Sequence, residues 1–353
     1  MYVMQFGLPL KPDNSEFAEL FKDKVVLITG GTGFLGRNLT EEILRFEPQS
    51  IRLFSRDEVK HHKAEELFNH HQKLRSFVGD VRDYERLDRA MKGADIVIHA
   101  AALKRLDLIE YNVDESIKTN VLGTLNVIHA SLANHVKKVI FISTDKACSP
   151  VNTYGACKFL GERIAIESNF SKGKADIQFI CVRYGNVLES TGSVIPFFEE
   201  KIKGGRKIPL TDERMTRFII TPKQAANLIF KAIKYGRGGE IFVPILPAFK
   251  ITDLIEILKE KHQTNTETEI VGVRPGEKIH ELMINRAEVP RTYKFNDTYV
   301  ITSQIEKYFE LGPAAYMNQH NRLHEGLMTE YSSEHALIPK EEVAKLFQEL
   351  GLL

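Results

Sequence analysis

A loop with regularly spaced glycines is the feature that most constrains how this chain can fold. The loop follows an apolar run at residues 25–28, precedes an amphipathic stretch at 35–46, and reads Thr29-Gly30-Gly31-Thr32-Gly33-Phe34-Leu35-Gly36. Gly31, Gly33 and Gly36 have the spacing G-x-G-x-x-G, which permits a tight turn and brings main-chain N–H groups close to a pyrophosphate. The N-terminus of the following helix also favours an anion. Strand, loop and helix together predict a dinucleotide-binding site rather than a simple glycine-rich turn.

Apolar strands and amphipathic helices alternate through the first half of the chain. The predicted strands and helices after the loop are 51–54, 76–78, 94–99, 139–142 and 177–182 (strands), and 83–91, 114–133 and a segment starting at 152 (helices). Near-continuous apolar strands separated by helices are typical of a parallel sheet that is covered on both faces. We therefore predict an α/β fold, a Rossmann-type doubly wound parallel sheet with a smaller C-terminal substrate-binding domain.

The alternation changes after residue 187, which indicates a division into domains. Glycines and prolines become frequent there, and the segments that follow are a predicted helix at 222–235, a strand at 241–244 and a helix at 252–262. We predict an N-terminal arm at residues 1–21 and a dinucleotide-binding domain at 22–187, to which residues 215–245 return. Residues 188–214 and 246–353 form the predicted second domain.

Composition and charge argue against several classes of protein. The 353 residues include 48 basic and 47 acidic side chains, a net charge of +1, so we expect no general attraction to nucleic acid or to a membrane. Cys148, Cys157 and Cys181 lack the spacing of a metal site and are interpreted as free thiols in a reducing compartment. No apolar run reaches the length of a membrane span. These features predict a cytoplasmic protein without a metal site.

The histidines support the same expectation about metals. His99 lies within the fourth predicted strand and is interpreted as a core residue. The pairs His61-His62 and His70-His71 are far from any cluster of carboxylates in the sequence. They are interpreted as part of a solvated helical face.

The end of the second predicted strand bears on the choice of cofactor. An NAD site usually has an acid there for the ribose hydroxyls, whereas an NADP site offers a basic partner for the 2′-phosphate. Ser55 and Arg56 precede the first acid here, which favours NADP over NAD; the alternative is that Arg56 is a solvated loop residue. Asp80 and Val81 are expected beside the adenine. The predicted cofactor-binding residues are Thr29, Gly30, Thr32, Gly33, Phe34, Leu35, Ser55, Arg56, Asp80, Val81, Ala100, Ala101, Ala102, Tyr154 and Lys158.

Tyr154 and Lys158 are four residues apart at the start of a predicted helix and therefore share one face. A nearby ammonium stabilises a phenolate, so we expect the pKa of Tyr154 to be lowered enough for it to act near neutral pH. The preceding strand is followed by Thr144, Asp145 and Lys146. Ligands of a doubly wound sheet bind beyond the carboxyl ends of the strands, so both segments should meet in one cleft. We predict a hydride-transfer pair rather than a chance spacing with Lys158 at the surface.

The glycine loop, Ser143, Thr144 and the pair Tyr154/Lys158 resemble the extended short-chain dehydrogenase/reductase superfamily. Further motifs resemble one of its families, the UDP-N-acetylglucosamine 4,6-dehydratases of bacterial surface-glycan biosynthesis, over residues 22–300. These motifs are Ala101-Ala102-Leu103-Lys104, Lys118-Thr119-Asn120-Val121-Leu122-Gly123-Thr124, Ser143-Thr144-Asp145-Lys146-Ala147, Arg183-Tyr184-Gly185-Asn186-Val187, Met215-Thr216-Arg217-Phe218 and Val273-Arg274-Pro275-Gly276-Glu277-Lys278.

The resemblance implies a lyase reaction with an internal redox step. Such enzymes oxidise the sugar at C4, eliminate water across C5 and C6, and return the hydride to C6. Tyr154 with Lys158 would be the base at the C4 hydroxyl, and Thr144 would hydrogen-bond the substrate near C4. Lys146 would be the base at C5 and Asp145 the acid for the departing hydroxyl. We expect Lys146 to have a lowered pKa because of crowding by Lys158 and the cationic nicotinamide; a simple ion pair of Asp145 and Lys146 is the alternative.

The resemblance also implies that the second domain binds the nucleotide sugar. Arg217 and Arg274 suit the diphosphate, because guanidinium donors match phosphate oxygens in forked pairs. The expected contacts to the sugar, ribose or uridine are Lys104, Asn186, Thr211 and Glu277. The expected partners are UDP-N-acetylglucosamine or a related UDP-sugar and, as is usual in this class, further copies of the chain in a homo-oligomer.

Two other functions remain open from the sequence. A UDP-hexose 4-epimerase would share the fold, the cofactor loop and the Tyr154/Lys158 pair. A non-catalytic NADP-binding regulator would share the loop, although it would have no use for that pair. A plain epimerase or reductase would have no use for Asp145 and Lys146, so the sequence favours elimination.

Overall fold

Strands and helices alternate along the chain in the computed structural model, which describes residues 14–188, 194–312, 314–324 and 326–353. Residues 1–13 of the predicted arm and 189–193 of the predicted second domain lie outside the described residues. The strands are β1 (Val25–Thr29), β2 (Ser50–Ser55), β3 (Leu74–Val78), β4 (Ile96–His99), β5 (Lys138–Ile142), β6 (Gln178–Val182), β7 (Ile208–Leu210), β8 (Thr216–Phe218), β9 (Ile241–Pro244), β10 (Ala248–Lys250), β11 (Thr268–Ile270), β12 (Leu282–Ile284), β13 (Thr292–Phe295), β14 (Thr298–Ile301) and β15 (Tyr331–Ser332).

The helices occur where the apolar periodicity changes from that of a strand to that of a helix. They are α1 (Ala18–Phe21), α2 (Phe34–Leu44), α3 (Glu58–Leu67), α4 (Tyr84–Met91), α5 (Leu106–Ile109), α6 (Val113–Ser116), α7 (Gly123–Ala133), α8 (Thr153–Ser171), α9 (Val194–Lys203), α10 (Pro222–Tyr235), α11 (Ile251–Lys261) and α12 (Lys340–Glu349). A π-helical segment, Ile117–Leu122, joins α6 to α7. None of the described helices is both long and apolar enough to span a bilayer.

Nine of the described strands form one sheet in the order β13-β14-β9-β6-β5-β4-β1-β2-β3. The strands from β9 to β3 in this order are parallel, and the hairpin of β13 and β14 is antiparallel at one edge. All five side chains of β1 are buried, as expected for a parallel strand with helices on both faces. The predicted α/β fold with a doubly wound parallel sheet is confirmed.

A second apolar cluster is separate from the core of the large sheet. Helices α9, α11 and α12 supply most of it, with Phe198, Leu254, Leu258 and Phe347 almost completely buried. Apart from Met215 and Ile219, its buried members come from residues 188–214 and 246–353. The boundaries of the two domains stay a prediction.

One part of residues 246–353 pairs with the large sheet. Residues 246–353 were assigned to the second domain as a whole, but the hairpin of β13 and β14 extends the large sheet. The reason is main-chain pairing, because Val300 in β14 lies opposite Phe242 in β9. Strand β9 would otherwise leave its N–H and C=O groups unpaired along one edge.

Local capping determines where the helices of the cleft begin. Asn152 accepts a hydrogen bond from the Gly155 N–H at 2.7 Å, which places Tyr154 in the first turn of α8. Farther along α8, Gly161 lies against the ring of Phe141, where a Cβ atom would clash. The absence of a side chain at this position lets α8 pack closely on β5. Asp83 likewise caps α4, because its side chain accepts a hydrogen bond from the Arg86 N–H.

The described part of the predicted arm, residues 14–21, packs on the rest of the protein. Phe17 and Phe21 are buried, and their ring centroids lie 5.7 and 4.8 Å from that of Phe230 in α10. Edge-on aromatic contacts of this kind are favourable beyond the apolar area they bury. This segment therefore stabilises the position of α10, which also packs against α2.

Candidate active site

The glycine loop fits a dinucleotide by its main-chain geometry. Gly30 has a φ of +69°, and a Cβ atom there would lie only 2.9 Å from the Ala101 nitrogen. Gly36 lies against Gly31, so that any side chain at Gly36 would collide with the loop. Only glycines allow this close approach, and α2 begins immediately afterwards at Phe34. The loop is thus a side-chain-free cradle at a helix N-terminus, which suits a pyrophosphate.

Thr29 and His99 join the ends of β1 and β4 beside this loop. The Thr29 hydroxyl is 2.7 Å from His99 Nδ1 and accepts a hydrogen bond from the Ala101 N–H at 3.2 Å. His99 Nε2 lies 3.1 Å from the hydroxyl of Thr124. Burial, and to a smaller extent the charge of Lys158, lower the pKa of His99 to about 3, so the ring is neutral. The predicted core role of His99 is confirmed, and its position helps to fix residues 100–102 next to the loop.

The predicted adenosine-binding residues lie together at the carboxyl ends of β2 and β3. The Ser55 hydroxyl accepts a hydrogen bond from the Thr32 N–H at 3.3 Å, which joins β2 to the glycine loop. Arg56 is half-exposed, with Nη1 3.5 Å from a carboxylate oxygen of Asp80. Asp80 also forms an ion pair at 2.8 Å with Arg82, a residue that the sequence interpretation missed. The feature of the sequence that could have indicated Arg82 is its position, two residues after Asp80 and just beyond β3.

Lys158 is buried below the cleft rather than exposed at its surface. Its Nζ donates a hydrogen bond to the Ile142 carbonyl at 2.7 Å and lies 4.6 Å from the centroid of the Phe141 ring. Burial lowers the pKa of Lys158 to about 8, although the charge of Glu162 acts in the opposite direction. Lys158 therefore loses its charge at a lower pH than an ordinary lysine.

Tyr154 does not have the lowered pKa that its spacing from Lys158 predicted. Burial, with a further contribution from Asp145, raises the pKa of Tyr154 to about 12, and Lys146 only partly opposes this. The physical reason is that the Lys158 ammonium is hydrogen-bonded to a main-chain carbonyl. The ammonium that acts on the phenol in this structure is Lys146, and it does not outweigh desolvation.

Thr144, Asp145 and Lys146 form a compact hydrogen-bonded group in a 3₁₀ turn after β5. Asp145 is buried, and one of its oxygens accepts from the Thr144 hydroxyl at 2.8 Å and from Lys146 Nζ at 3.0 Å. Lys146 Nζ also lies 3.5 Å from the side-chain oxygen of Asn186. The residues that were predicted from separate sequence motifs therefore meet around one ammonium group.

The lowered pKa expected for Lys146 is not observed. Burial acts to lower the pKa, but Asp145 and then Glu281 outweigh it and raise the pKa of Lys146 above its usual range. Glu281 Oε1 lies 3.6 Å from Lys146 Nζ and the sequence interpretation missed it. The only feature of the sequence that could have indicated Glu281 is its position, three residues after the motif that ends at Lys278. The pKa rises because two carboxylates, those of Asp145 and Glu281, lie 3.0 and 3.6 Å from Lys146 Nζ.

The residues predicted to bind the substrate differ in how close they lie to the group of Asp145 and Lys146, and Arg217 is linked to it through Glu281. The Arg217 guanidinium donates to the carbonyls of Thr216, Lys278 and Ile279 at 2.7, 3.2 and 3.0 Å, and Nε lies 3.6 Å from Glu281. Arg217 thus contacts the loop that contains Arg274 and Glu277. The same loop reaches the start of α8, because the N-cap Asn152 donates a hydrogen bond to the Gly276 carbonyl at 2.8 Å.

The remaining predicted substrate residues have fewer contacts within the protein. Arg274 is exposed, and the buried Oε2 atom of Glu277 has no hydrogen-bond partner among the described residues. Thr211 is half-buried directly after β7. Desolvation and the charge of Lys146 lower the pKa of Lys104, so this lysine is close enough to the same group to be repelled by it.

A buried ion cluster supports the site from below. Arg183 is fully buried and forms two hydrogen bonds each with Glu162 and Glu288, at 2.7 to 2.9 Å, and one with the Met283 carbonyl at 2.7 Å. Glu162 also accepts from the Ser143 hydroxyl at 2.6 Å. Although burial acts to raise it, Arg183 lowers the pKa of Glu288 to about 2. The cluster joins α8, β6 and the segment around β12, and the sequence indicated Arg183 only as part of a motif.

Comparisons with known proteins identify the family to which the chain is similar. Residues 26–303 match the protein family described as "Polysaccharide biosynthesis protein". The chain is 44% identical over 289 residues to a UDP-N-acetylglucosamine 4,6-dehydratase (inverting) of Campylobacter jejuni, with coverage of 81% of this chain and 85% of the relative. It is 39% identical over 286 residues to a UDP-glucose 4-epimerase of Rickettsia massiliae, covering 80% and 84% of the two chains. The X-ray structure of Pen from Bacillus thuringiensis superposes with a TM-score of 0.86 at 39% identity, over 94% of this chain and 99% of that one.

The buried lysine of α8 predicts a pH dependence of stability. With a pKa of about 8 in the folded protein against an ordinary value of 10.5, Lys158 binds fewer protons in the folded state than in the unfolded state between these pH values. Stability rises with pH wherever the unfolded state binds more protons, by at most about 1.4 kcal/mol per pH unit for one group. The free energy of unfolding of the wild type, minus that of Lys158→Met, should therefore increase from about pH 8 to about pH 10.5 in urea titrations.

The matched control is Lys92→Met, because Lys92 is exposed at the end of α4. The difference between the wild type and this variant should stay constant over the same range. A constant difference for Lys158→Met as well would contradict a lowered pKa in the folded protein.

Proposed function

The chain belongs to the polysaccharide biosynthesis protein family, and we propose that it is a nucleotide-sugar dehydratase that acts on UDP-N-acetylglucosamine. The product would be a UDP-4-keto-6-deoxy-N-acetylhexosamine, formed with transient hydride transfer to and from a bound NADP. The observation that carries the proposal is the Asp145–Lys146 pair, in hydrogen-bond contact at 3.0 Å and within electrostatic reach of Tyr154. Elimination needs a base and an acid in addition to the hydride-transfer groups. The similarity to the Campylobacter dehydratase supports the same reading.

The cofactor would lie across the carboxyl ends of β1, β2 and β4. The glycine cradle would hold its pyrophosphate, Ser55 and Arg56 its adenosine ribose, and residues 100–102 with Tyr154 its nicotinamide end. The chemistry that such a cofactor supplies when bound is the reversible acceptance of a hydride. We propose NADP rather than NAD, because the guanidinium groups of Arg56 and the neighbouring Arg82 both lie against Asp80, just beyond the carboxyl ends of β2 and β3. A 2′-phosphate would offer both of them a stronger partner than one shared carboxylate.

Tyr154 would take the proton of the C4 hydroxyl. With a pKa of about 12 it is protonated near neutral pH in this structure, so it would act as a base only in the phenolate form, after release of its own proton to solvent water. Lys146 already acts to lower the pKa of Tyr154, and Lys158 lies one helical turn farther along α8. Thr144, which is hydrogen-bonded to Asp145 in the substrate-free protein, would bind the oxygen that becomes the C4 ketone.

Asp145 and Lys146 would then supply the acid and the base of the elimination. In the structure they are an ammonium and a carboxylate joined by one hydrogen bond, which are the wrong protonation states for that work. Transfer of one proton along this bond, from Lys146 Nζ to Asp145 Oδ1, yields an amine and a carboxylic acid. The amine removes the C5 proton, and the acid protonates the departing C6 hydroxyl. A sugar that fills the cleft removes water and so favours the uncharged pair over the ion pair.

A UDP-hexose 4-epimerase is the second candidate, favoured by the 39% identity to the Rickettsia epimerase. It would use the same cofactor cradle and the same Tyr154. It would leave Asp145 and Lys146 without a role in proton transfer, since epimerisation at C4 removes no water. The two candidates therefore differ in the mass of their products.

We also propose that the protein forms a homo-oligomer. Large apolar side chains are exposed along α5 to α8, the helices next to the cleft. They include Leu108, Tyr111, Ile117, Leu122 and Leu160. Exposed apolar side chains that lie on neighbouring helices support a protein–protein contact at this face.

The proposed reaction predicts a product that is lighter than UDP-N-acetylglucosamine by one water. The protein with catalytic amounts of NADP should form it without accumulating NADPH, because the hydride returns to the sugar. Mass spectrometry and NMR of the nucleotide sugar provide the measurement. A product of unchanged mass, with inverted C4, would instead identify the epimerase.

Two variants should separate oxidation from elimination. Tyr154→Phe should abolish even the first hydride transfer, leaving the nicotinamide absorbance unchanged after substrate is added. Lys146→Ala should allow some reduction but slow exchange of the C5 proton with deuterated water about 10²–10⁴-fold, the usual worth of one base. Asp145→Asn should show the same reduction with slow loss of water. The control is Lys223→Ala, which removes an exposed lysine of α10 and should match the wild type. If Lys146→Ala exchanged the C5 proton at the wild-type rate, Lys146 would be ruled out as the base.

The cofactor preference can be tested at Arg56. Arg56→Ala should weaken binding of NADP(H) by about 1–3 kcal/mol and that of NAD(H) much less, because only the former has a phosphate to bind. Isothermal titration with both cofactors measures the two changes. Arg89→Ala removes a similarly exposed arginine from α4 and should change neither affinity. Equal losses for both cofactors would remove Arg56 from the phosphate site.

A further inference from the structure

Glu281 is a buried carboxylate that lies between two cations of the cleft. Its Oε1 atom is 3.6 Å from Lys146 Nζ and 3.6 Å from Arg217 Nε. The residue is only 4% exposed, and its Oε2 atom has no hydrogen-bond partner among the described residues. Desolvation of a carboxylate that is incompletely hydrogen-bonded is unfavourable. If Glu281 only filled space, the protein would be more stable with an apolar side chain at this position.

The C-terminal segment holds Glu281 in place through its main chain. The N–H of Glu281 donates to the Ser333 hydroxyl at 2.9 Å, and the N–H of Ser333 donates to the Glu281 carbonyl at 2.8 Å. The Ser333 hydroxyl is also 2.6 Å from that of Thr216, next to Arg217. These bonds continue the pairing of β12 with β15. The position of the carboxylate is therefore determined by main-chain contacts that a change of its side chain leaves in place.

The charged and titratable groups that act on Lys146 come from several elements. Asp145 belongs to the same turn, Tyr154 to α8, Lys104 to the segment before α5, Arg217 to β8, and Glu281 to the residue before β12. Of these, only Asp145 and Glu281 add negative charge as carboxylates near Lys146 Nζ. Asp145 can receive the proton of Lys146 directly, whereas Glu281, at 3.6 Å, stabilises the ammonium without a short hydrogen bond.

We propose that Glu281 is a positioning residue, which holds Lys146 in its ammonium form beside Asp145 until a substrate occupies the cleft. The proposal rests on the role of Lys146 as the C5 base. A second carboxylate opposes the transfer of the proton from Lys146 to Asp145, because this transfer would leave Glu281 facing an uncharged amine. Arg217 limits the effect, since it shares the same oxygen of Glu281. In the substrate-free protein the base is thus protonated and unreactive.

The direct test is the protonation of Lys146 without substrate or cofactor. An opposite charge at this distance typically shifts a pKa by about 1–3 units, so Glu281→Gln should lower that of Lys146 by about this amount. The ¹³Cε chemical shift of Lys146, in protein labelled at lysine and assigned by loss of the signal in Lys146→Ala, reports the titration. Glu281→Asp keeps the charge and should titrate close to the wild type. Glu334→Gln, which removes an exposed carboxylate near His280, should leave the titration of Lys146 unchanged.

A second measurement links this shift to turnover. The rate of C5 proton exchange should rise with pH as Lys146 becomes an amine, and the rising limb should move to lower pH in Glu281→Gln by the same amount as the ¹³C titration. A wild type that exchanges no C5 proton would contradict the proposed function and leave the ¹³C result standing. An unshifted titration in folded Glu281→Gln would overturn the role of Glu281 whatever the reaction. If Glu281→Gln does not fold, Glu281→Met removes the same charge with an apolar side chain of similar size and is read in the same way.

Discussion

The buried guanidinium of Arg183 is the interaction on which the geometry of the cleft depends. It pairs with Glu162 of α8 and with Glu288 beyond β12, so that one cation joins the helix of Tyr154 to the segment of Glu281. Removal of one partner from a buried ion pair typically costs about 3–5 kcal/mol, because the remaining charge is left without compensation. A change to any member of the cluster should therefore destabilise the fold. It also specifies one register of α8 against the strands below it, since the two glutamates must reach the same guanidinium.

The two lysines of the cleft show how such a scaffold gives different pKa values to chemically identical groups. Lys158 is buried against a carbonyl and an aromatic ring, and its pKa falls to about 8. Lys146 is buried against two carboxylates, and its pKa rises. Burial lowers the pKa of both, so the opposite outcomes come from the nearby charges: Asp145 and Glu281 outweigh burial at Lys146, whereas Glu162 does not outweigh it at Lys158. One lysine can thus give up its charge readily, while the other stays an ammonium until its surroundings change.

The C-terminal part of the chain contributes more to the site than its lack of motifs indicates. The hairpin of β13 and β14 covers the edge of the large sheet, and β15 pairs with the strand after Glu281. Ser333, fully buried, joins that strand to β8 and so to Arg217. These contacts are made by main-chain groups and hydroxyls. Because such contacts place few demands on residue type, they leave almost no pattern in a single sequence.

The sequence by itself determined the features that depend on neighbours along the chain. Alternating strands and helices, the glycine loop and the start of α8 at Asn152 were all predicted, because each follows from periodicity, backbone freedom or a local hydrogen bond. The grouping of Asp145, Lys146 and Tyr154 also followed, since the carboxyl ends of parallel strands meet at one edge.

Only the tertiary structure decided the charge state of that group. The pKa of Lys146 was expected to fall and instead rises, because Asp145 and then Glu281, which comes from a distant segment, outweigh the effect of burial. The pKa of Tyr154 was expected to fall and instead rises, because α8 directs Lys158 towards Ile142 and burial dominates at the phenol. Desolvation and Coulomb energies depend on distances across the fold rather than on spacing along the chain. The sign of a pKa shift could therefore not be derived until the chain was folded.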